Sequence, residues 1–189
     1  AGVKTSTPYR ATVISSSLSS PWAVTPLPDG RLVITEKSGT LRIATTDGTI
    51  SNKITGFPEV DDRQQGGLLD VAPAPDFITT RMLYFTLAER TSQGSLTAVG
   101  KGRLSTDETV IENFQIIYRA IPYFDNSMHF GGRIVFDKSG NIFVSTGERS
   151  DLATRPNAQK LDTAHGKVIY ITPEGKPVPG NPFIDTAGA

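Results

Sequence analysis

One pattern recurs three times along this chain: a turn, then a run of β-branched and aromatic residues that closes near a Ser or Thr. The first copy is Leu27-Pro28-Asp29-Gly30 followed by Arg31-Leu32-Val33-Ile34-Thr35-Glu36. The second pairs Pro75-Asp76-Phe77 with Arg81-Met82-Leu83-Tyr84-Phe85-Thr86. The third pairs Asp137-Lys138-Ser139-Gly140 with Asn141-Ile142-Phe143-Val144-Ser145-Thr146. Successive copies lie about 50 and about 60 residues apart, a period typical of β-propeller blades built from several strands each. Further strand candidates lie between them: Gly39-Thr40-Leu41-Arg42-Ile43, Thr97 through Leu104, Gln115-Ile116-Ile117-Tyr118 and Lys167-Val168-Ile169-Tyr170-Ile171. No segment shows a convincing helical period, so the expected class is all-β.

A β-sandwich of short strands is the alternative; the long recurrence favours the propeller. Three units make about three blades, whereas closed propellers have at least four, and three would leave sheet edges open. The expectation is therefore an incomplete propeller. Residues 1–20 read as a polar, Ser/Thr-rich arm with a first strand at Val13-Ile14. Residues 21–189 read as the partial propeller, truncated at its C-terminal side.

Composition narrows the function. The 189 residues carry 19 basic and 19 acidic groups and no net charge, which argues against nucleic acid or an anionic membrane as the main partner. No apolar run approaches the ~20 residues of a transmembrane helix. The absence of cysteine excludes a disulfide framework and thiolate chemistry, and suits an exported bacterial protein. The chain opens Ala1-Gly2-Val3 without Met, as a cleaved leader or a segment boundary would leave it.

The third unit holds the best candidate for chemistry. Arg133-Ile134-Val135-Phe136 and Asn141-Ile142-Phe143-Val144-Ser145 flank the Asp137–Gly140 turn and predict a hairpin. In an antiparallel pair the numbers of facing residues have a constant sum. A turn centred between Lys138 and Ser139 sets that sum at 277, which His129 and Glu148 share. Unless a bulge intervenes, they face each other with Cβ atoms roughly 5 Å apart. A carboxylate that holds an imidazole in one tautomer makes a general base. The bland reading of His129 is a hydrogen-bonded loop histidine.

Gln64-Gln65-Gly66-Gly67-Leu68-Leu69-Asp70 is a second candidate, with amides for carbonyl-rich ligands and glycines for close backbone approach; an ordinary strand entry explains it equally. Arg133 could hold a ligand anion or an ion pair within the sheet. His165 reads as structural. The chain has no G-x-G-x-x-G between strand and helix, no phosphate-binding loop, no H-x-x-x-H or C-x-x-C metal signature, no EF-hand-like loop and no G-x-S-x-G elbow.

Taken together, an ordered set of stretches resembles the soluble quinoprotein glucose/sorbosone dehydrogenases, especially bacterial aldose sugar dehydrogenases that use pyrroloquinoline quinone (PQQ). The set comprises Pro21-Trp22-Ala23 with Pro28-Asp29-Gly30 and Ile34-Thr35-Glu36; Gln65-Gly66-Gly67-Leu68-Leu69 with Pro75-Asp76-Phe77; His129 with Gly147-Glu148; and Gly166-Lys167-Val168 with Asn181-Pro182-Phe183. The resemblance implies a six-bladed propeller with PQQ over its central face, this chain covering about the first three blades. It implies a sugar substrate oxidised at C1 to the lactone, an external electron acceptor, and a periplasmic or secreted location.

By position, it makes His129 the catalytic base, Glu148 the residue that orients it, and Gln65 a neighbour of both PQQ and sugar. Met128 departs from members that carry an acidic residue before the catalytic His, which bears on sugar preference. The family's Arg-Asn-Pro segment, later Lys and Arg residues and Ca²⁺-holding carbonyls have no counterpart before Ala189. The resemblance therefore implies no metal ligand within these residues, Ca²⁺ ligands beyond residue 189, and a segment that by itself binds PQQ weakly and does not turn over. The rival readings are a non-catalytic propeller binding module and a metal-dependent lactonase-type propeller.

Overall fold

A computed structural model describes residues 6–186; the first residues of the expected arm lie outside them. The chain forms three antiparallel sheets, each a simple up-and-down run of strands. The first contains β1 (Pro21–Pro26), β2 (Leu32–Glu36) and β3 (Thr40–Ala44). The second contains β4 (Leu68–Pro73), β5 (Met82–Thr91), β6 (Gly94–Leu104) and β7 (Ile111–Arg119), with a four-residue helix α1 (Phe77–Thr80) between β4 and β5. The third contains β8 (Gly131–Phe136), β9 (Ile142–Thr146) and β10 (Val168–Ile171). Three sheets, rather than two facing ones, exclude the sandwich. Val13 and Ile14 form no strand and are exposed, so the first strand begins at Pro21 instead. They sit in a run of Ser and Thr with no neighbouring strand to pair with, and two β-branched residues alone do not make a strand.

The packing explains the hydrophobic pattern. Strand β5 lies in the middle sheet and is buried on both faces, as its run Leu-Tyr-Phe-Thr-Leu-Ala requires. Leu83, Phe85 and Leu87 point to one side and join Val33, Leu41 and Ile43 of the first sheet. Tyr84, on the alternate side, joins Ile134, Ile142 and Val144 of the third sheet. The initial strands β1, β4 and β8 lie side by side. A smaller cluster of Leu69, Ala88 and Phe130, with Trp22 against it, closes the interior at the end where β8 begins.

One turn recurs five times and fixes the hairpin registers. In each case the amide of a glycine bonds the carbonyl three residues back: Gly30 to Leu27, Gly39 to Glu36, Gly48 to Thr45, Gly140 to Asp137 and Gly175 to Thr172. All five glycines have positive φ, between 79° and 97°, the geometry of a type I turn closed by a left-handed residue. The loop of the β8–β9 hairpin is therefore three residues long. Val135 faces Phe143 and Phe136 faces Ile142, so the facing sum is 278 rather than 277.

A β-bulge then restores the expected register. Between the pairs Gly131↔Thr146 and Ile134↔Val144, strand β8 has two residues where β9 has one. The extra residue returns the sum to 277 at Gly131, and the pairing runs on, with Gly147 N–H donating to Phe130 O and Arg149 N–H to His129 O. Gly132, with φ of 104°, leaves room in which a Cβ would meet Leu69 Cδ1 at 2.8 Å.

Candidate active site

The bulge delivers His129 and Glu148 to one another at the open end of the hairpin. His129 Nδ1 lies 2.7 Å from Glu148 Oε1. The second carboxylate oxygen, Oε2, accepts the Ser150 N–H at 2.8 Å, so the carboxylate is fixed at both oxygens. Nδ1 donates to this acceptor, which leaves Nε2 as the basic ring nitrogen. The histidine side chain is 54% exposed and the glutamate 19% exposed: the imidazole faces solvent and its partner is shielded.

Gln65 completes the arrangement from the second sheet. Its Oε1 accepts the His129 N–H at 2.8 Å, and its own N–H donates to Ser127 O at 3.0 Å. With the side-chain oxygen committed to His129, the amide NH₂ is the end that can donate elsewhere. Gln65 and His129 line a cleft of about 320 Å³ together with Trp22, Lys37, Gln64, Phe130 and Gly131. Lys37 Nζ donates to the Gln64 carbonyl. Of the three predicted site residues, His129 and Gln65 line this cleft and Glu148 stands behind His129.

Backbone strain concentrates here. Among the described residues, eight non-glycine residues have positive φ, and four of them are Gln64 (42°), His129 (53°), Arg149 (73°) and Ser150 (54°). Such conformations cost of order 1–3 kcal/mol each and persist where the surroundings enforce them.

Arg133 forms the ion pair within the sheet while its side chain stays 67% exposed: its guanidinium lies 3.3 Å from Asp70 and 4.5 Å from the centre of the Trp22 ring. Asp70 also accepts the Ile134 N–H, so the pair ties β4 to β8. His165 is buried; its Nε2 lies 2.9 Å from the Pro122 carbonyl and its Nδ1 3.3 Å from Asn157 Nδ2. A carbonyl only accepts, so His165 carries its proton on Nε2.

The chain's two histidines should therefore be opposite tautomers: Nδ1–H at His129 and Nε2–H at His165. Ring ¹⁵N shifts of a histidine-labelled sample distinguish them, and matching tautomers would contradict the geometry. Burial also holds the His165 imidazole below its ordinary value. The unfolded chain then takes up a proton first, so this contribution to stability is complete above about pH 6.5 and is lost as pH falls below it.

Three contributors escape a reading of the sequence. Trp22 and Lys37 line the cleft from the first sheet; the signal for Trp22 was that it is the chain's single tryptophan. Arg149 is 1% exposed, and nothing in the local sequence marks an arginine next to Glu148 as buried.

A profile described as glucose/sorbosone dehydrogenase matches residues 18–189. The chain is 40% identical over 179 residues to the aldose sugar dehydrogenase YliI of Escherichia coli (strain K12), covering 94% of this chain and 47% of that protein. Its structure is similar to the apo-form of the soluble aldose sugar dehydrogenase from Escherichia coli, with TM-score 0.87, 38% identity, and coverage of 94% of this chain and 51% of that one. The PQQ-bound aldose sugar dehydrogenase from Streptomyces coelicolor is similar at TM-score 0.80 and 26% identity, covering 92% and 50% respectively. The chain spans about half the length of these relatives.

Proposed function

The chain belongs to the glucose/sorbosone dehydrogenase family, and from that premise we propose that it supplies the base and orienting carboxylate for PQQ-dependent oxidation of an aldose at C1 to the lactone. The observation that carries the proposal is the 2.7 Å pair of His129 Nδ1 and Glu148 Oε1 at the rim of the cleft. His129 Nε2 takes the proton of the C1 hydroxyl. Glu148 holds the ring in the Nδ1–H tautomer and stabilises the imidazolium that forms. Gln65 keeps the His129 backbone in its left-handed conformation and turns its NH₂ toward the sugar or cofactor.

The residues present suit one edge of PQQ. Trp22 lines the cleft with aromatic surface for a planar ring system, and Lys37 brings a cation for a carboxylate. Bound PQQ would supply the two-electron acceptor for the hydride leaving C1. Ca²⁺ is different: among the described residues no group of three or more His, Cys, Asp or Glu side chains could hold a metal ion, so no step is assigned to it. Ca²⁺ ligands beyond residue 189 are part of the proposal, as are an external electron acceptor and a periplasmic or secreted location, the last supported by the cysteine-free composition.

In the same reading the three sheets are about the first three blades of a six-bladed propeller. The adjacency of β1, β4 and β8 supports this, as inner strands line a propeller's channel. Isolated bridges from Leu41 to Ile54 and from Ile171 to Pro177 lie at the outer side of the three-stranded first and third sheets, where a fourth strand of a four-stranded blade would pair.

Titration with PQQ, read by quinone absorbance and melting temperature, tests the reading. In a polypeptide of the relatives' length that carries this segment, PQQ at about 100 times its Kd should add about 2.7 kcal/mol of stability, and an aldose should then bleach the quinone band. The 189-residue segment alone, with Lys37 the one permanent cation lining the cleft, should bind far more weakly and not turn over. Stabilisation by Ca²⁺ alone with lactone hydrolysis would replace this reading with the lactonase. Glycan or protein binding that survives loss of His129 would replace it with the binding module.

A further inference from the structure

We infer that Arg149 is a positioning residue: it locks the loop that carries His129 against the strand end that carries Glu148. The consequence for rate rests on the reading of His129 as the base; the positioning itself does not.

The Arg149 side chain is 1% exposed and is spent on backbone and hydroxyl groups. Nε donates to Met128 O at 3.0 Å, Nη1 to Ser95 O at 2.6 Å, and Nη2 to Ser95 Oγ at 3.0 Å and to Asn126 O. The guanidinium carbon lies over Phe130, 3.9 Å from the ring centre. Residues 126, 128 and 130 of the loop are thus gripped by one side chain, with His129 between the last two. Ser95, on β6, anchors the grip to the middle sheet.

A buried cation is costly unless its donors are satisfied, and carboxylates usually satisfy them. Among the described residues no carboxylate lies within ion-pair distance of Arg149. Four carbonyl or hydroxyl bonds and an aromatic face do the work instead. Burial draws the group down to about 10, so it stays charged at neutral pH. The planar fork matters: five donors in a fixed plane can span Ser95 and two loop carbonyls at once, which the compact ammonium of lysine cannot.

The geometry links the two halves of the pair. Arg149 directly follows Glu148, and its N–H donates to His129 O at 3.3 Å. Its φ of 73° turns the side chain back beneath the loop while Ser150 N–H holds the Glu148 carboxylate. Movement of this one residue would therefore shift the base and its orienter relative to each other.

The test is ring ¹⁵N NMR and amide exchange on Arg149→Lys, without sugar or cofactor. His165 feels the charge at position 149, which lysine keeps, but its ring bonds only Pro122 O and Asn157 among the described residues, so its tautomer reports whether the fold is intact. The expected result is an unchanged His165, a His129 ring that loses its Nδ1–H preference, and exchange of the 126–130 amides faster by about tenfold or more. An unchanged His129 tautomer and unchanged loop exchange in the folded variant would overturn the inference. If Arg149→Lys does not fold, Ser95→Ala, which removes only the Oγ acceptor, should move the same signals in the same direction by less; no movement would overturn it. In a PQQ-binding polypeptide, Arg149→Lys should also lower kcat with KM nearly unchanged. A shifted tautomer with unchanged kcat would sink the base assignment of His129 and leave the positioning role of Arg149 standing.

Discussion

In a PQQ-binding polypeptide of the relatives' length that carries this segment, replacing His129 with alanine should lower kcat for aldose oxidation by about 10²–10⁴, the usual contribution of a positioned general base. At 1.36 kcal/mol per decade that is roughly 3–5 kcal/mol of barrier. The loss falls on kcat because the ring acts on the hydroxyl proton as it leaves, while the remaining walls of the cleft, Trp22, Lys37, Phe130 and Gln65, still hold ligand. Folding should be little changed: the His129 side chain is 54% exposed and bonds only Glu148, which keeps its Ser150 contact. Steady-state rates with an artificial dye, alongside a melting curve, measure both. A variant with normal melting and normal kcat would remove His129 from the chemistry.

The largest effect on stability is expected at Phe85. Its ring is fully buried on β5, edge-on to Phe57 at 4.9 Å and tilted against Phe114 at 6.0 Å, and it packs in the core shared by the first and second sheets. Phe85→Ala should cost about 3–5 kcal/mol, combining lost transfer energy with a cavity the strands cannot close. The backbone there is held by pairing with β4 and β6 on both sides, Val71 and Gly100 being its partners, so collapse into the void is limited. Denaturant unfolding with an unchanged m-value would record the loss as a lower midpoint. A cost under about 1 kcal/mol would mean that the two sheets do not share this core.

The strands were readable because their chemistry is local. Runs such as Leu-Tyr-Phe-Thr and Ile-Phe-Val-Ser declare themselves by β-branched and aromatic residues, and every strand candidate of the sequence except Val13-Ile14 lies on a strand of the structure. The Val13-Ile14 strand failed because two apolar residues do not reveal whether a neighbour waits to pair with them. The proximity of His129 and Glu148 follows from a register in which two departures compensate. The turn is three residues long because Gly140 is left-handed, and the Gly131–Gly132 bulge takes that residue back. Gly140 at the turn was visible in the sequence; the bulge was not, since two adjacent glycines permit one without requiring it.

Gln65 illustrates the next limit. The sequence offered an amide and two glycines, but its bond to the His129 N–H spans two sheets and follows only from the packing of β4 beside β8. Arg149 lies beyond that limit. Local sequence predicts an exposed cation, and only the carbonyls gathered by Ser95 and the 126–130 loop make its burial tolerable.

Chemical rescue tests the central claim, that His129 Nε2 is the base for sugar oxidation, most directly. In the PQQ-loaded His129→Ala variant of a polypeptide of the relatives' length that carries this segment, the rate at which an aldose bleaches the quinone band is followed while imidazole is added at fixed pH. The account predicts a rate that is slow without imidazole and rises in proportion to its neutral form. Bleaching at the rate of the unsubstituted protein, with no dependence on imidazole, would contradict it.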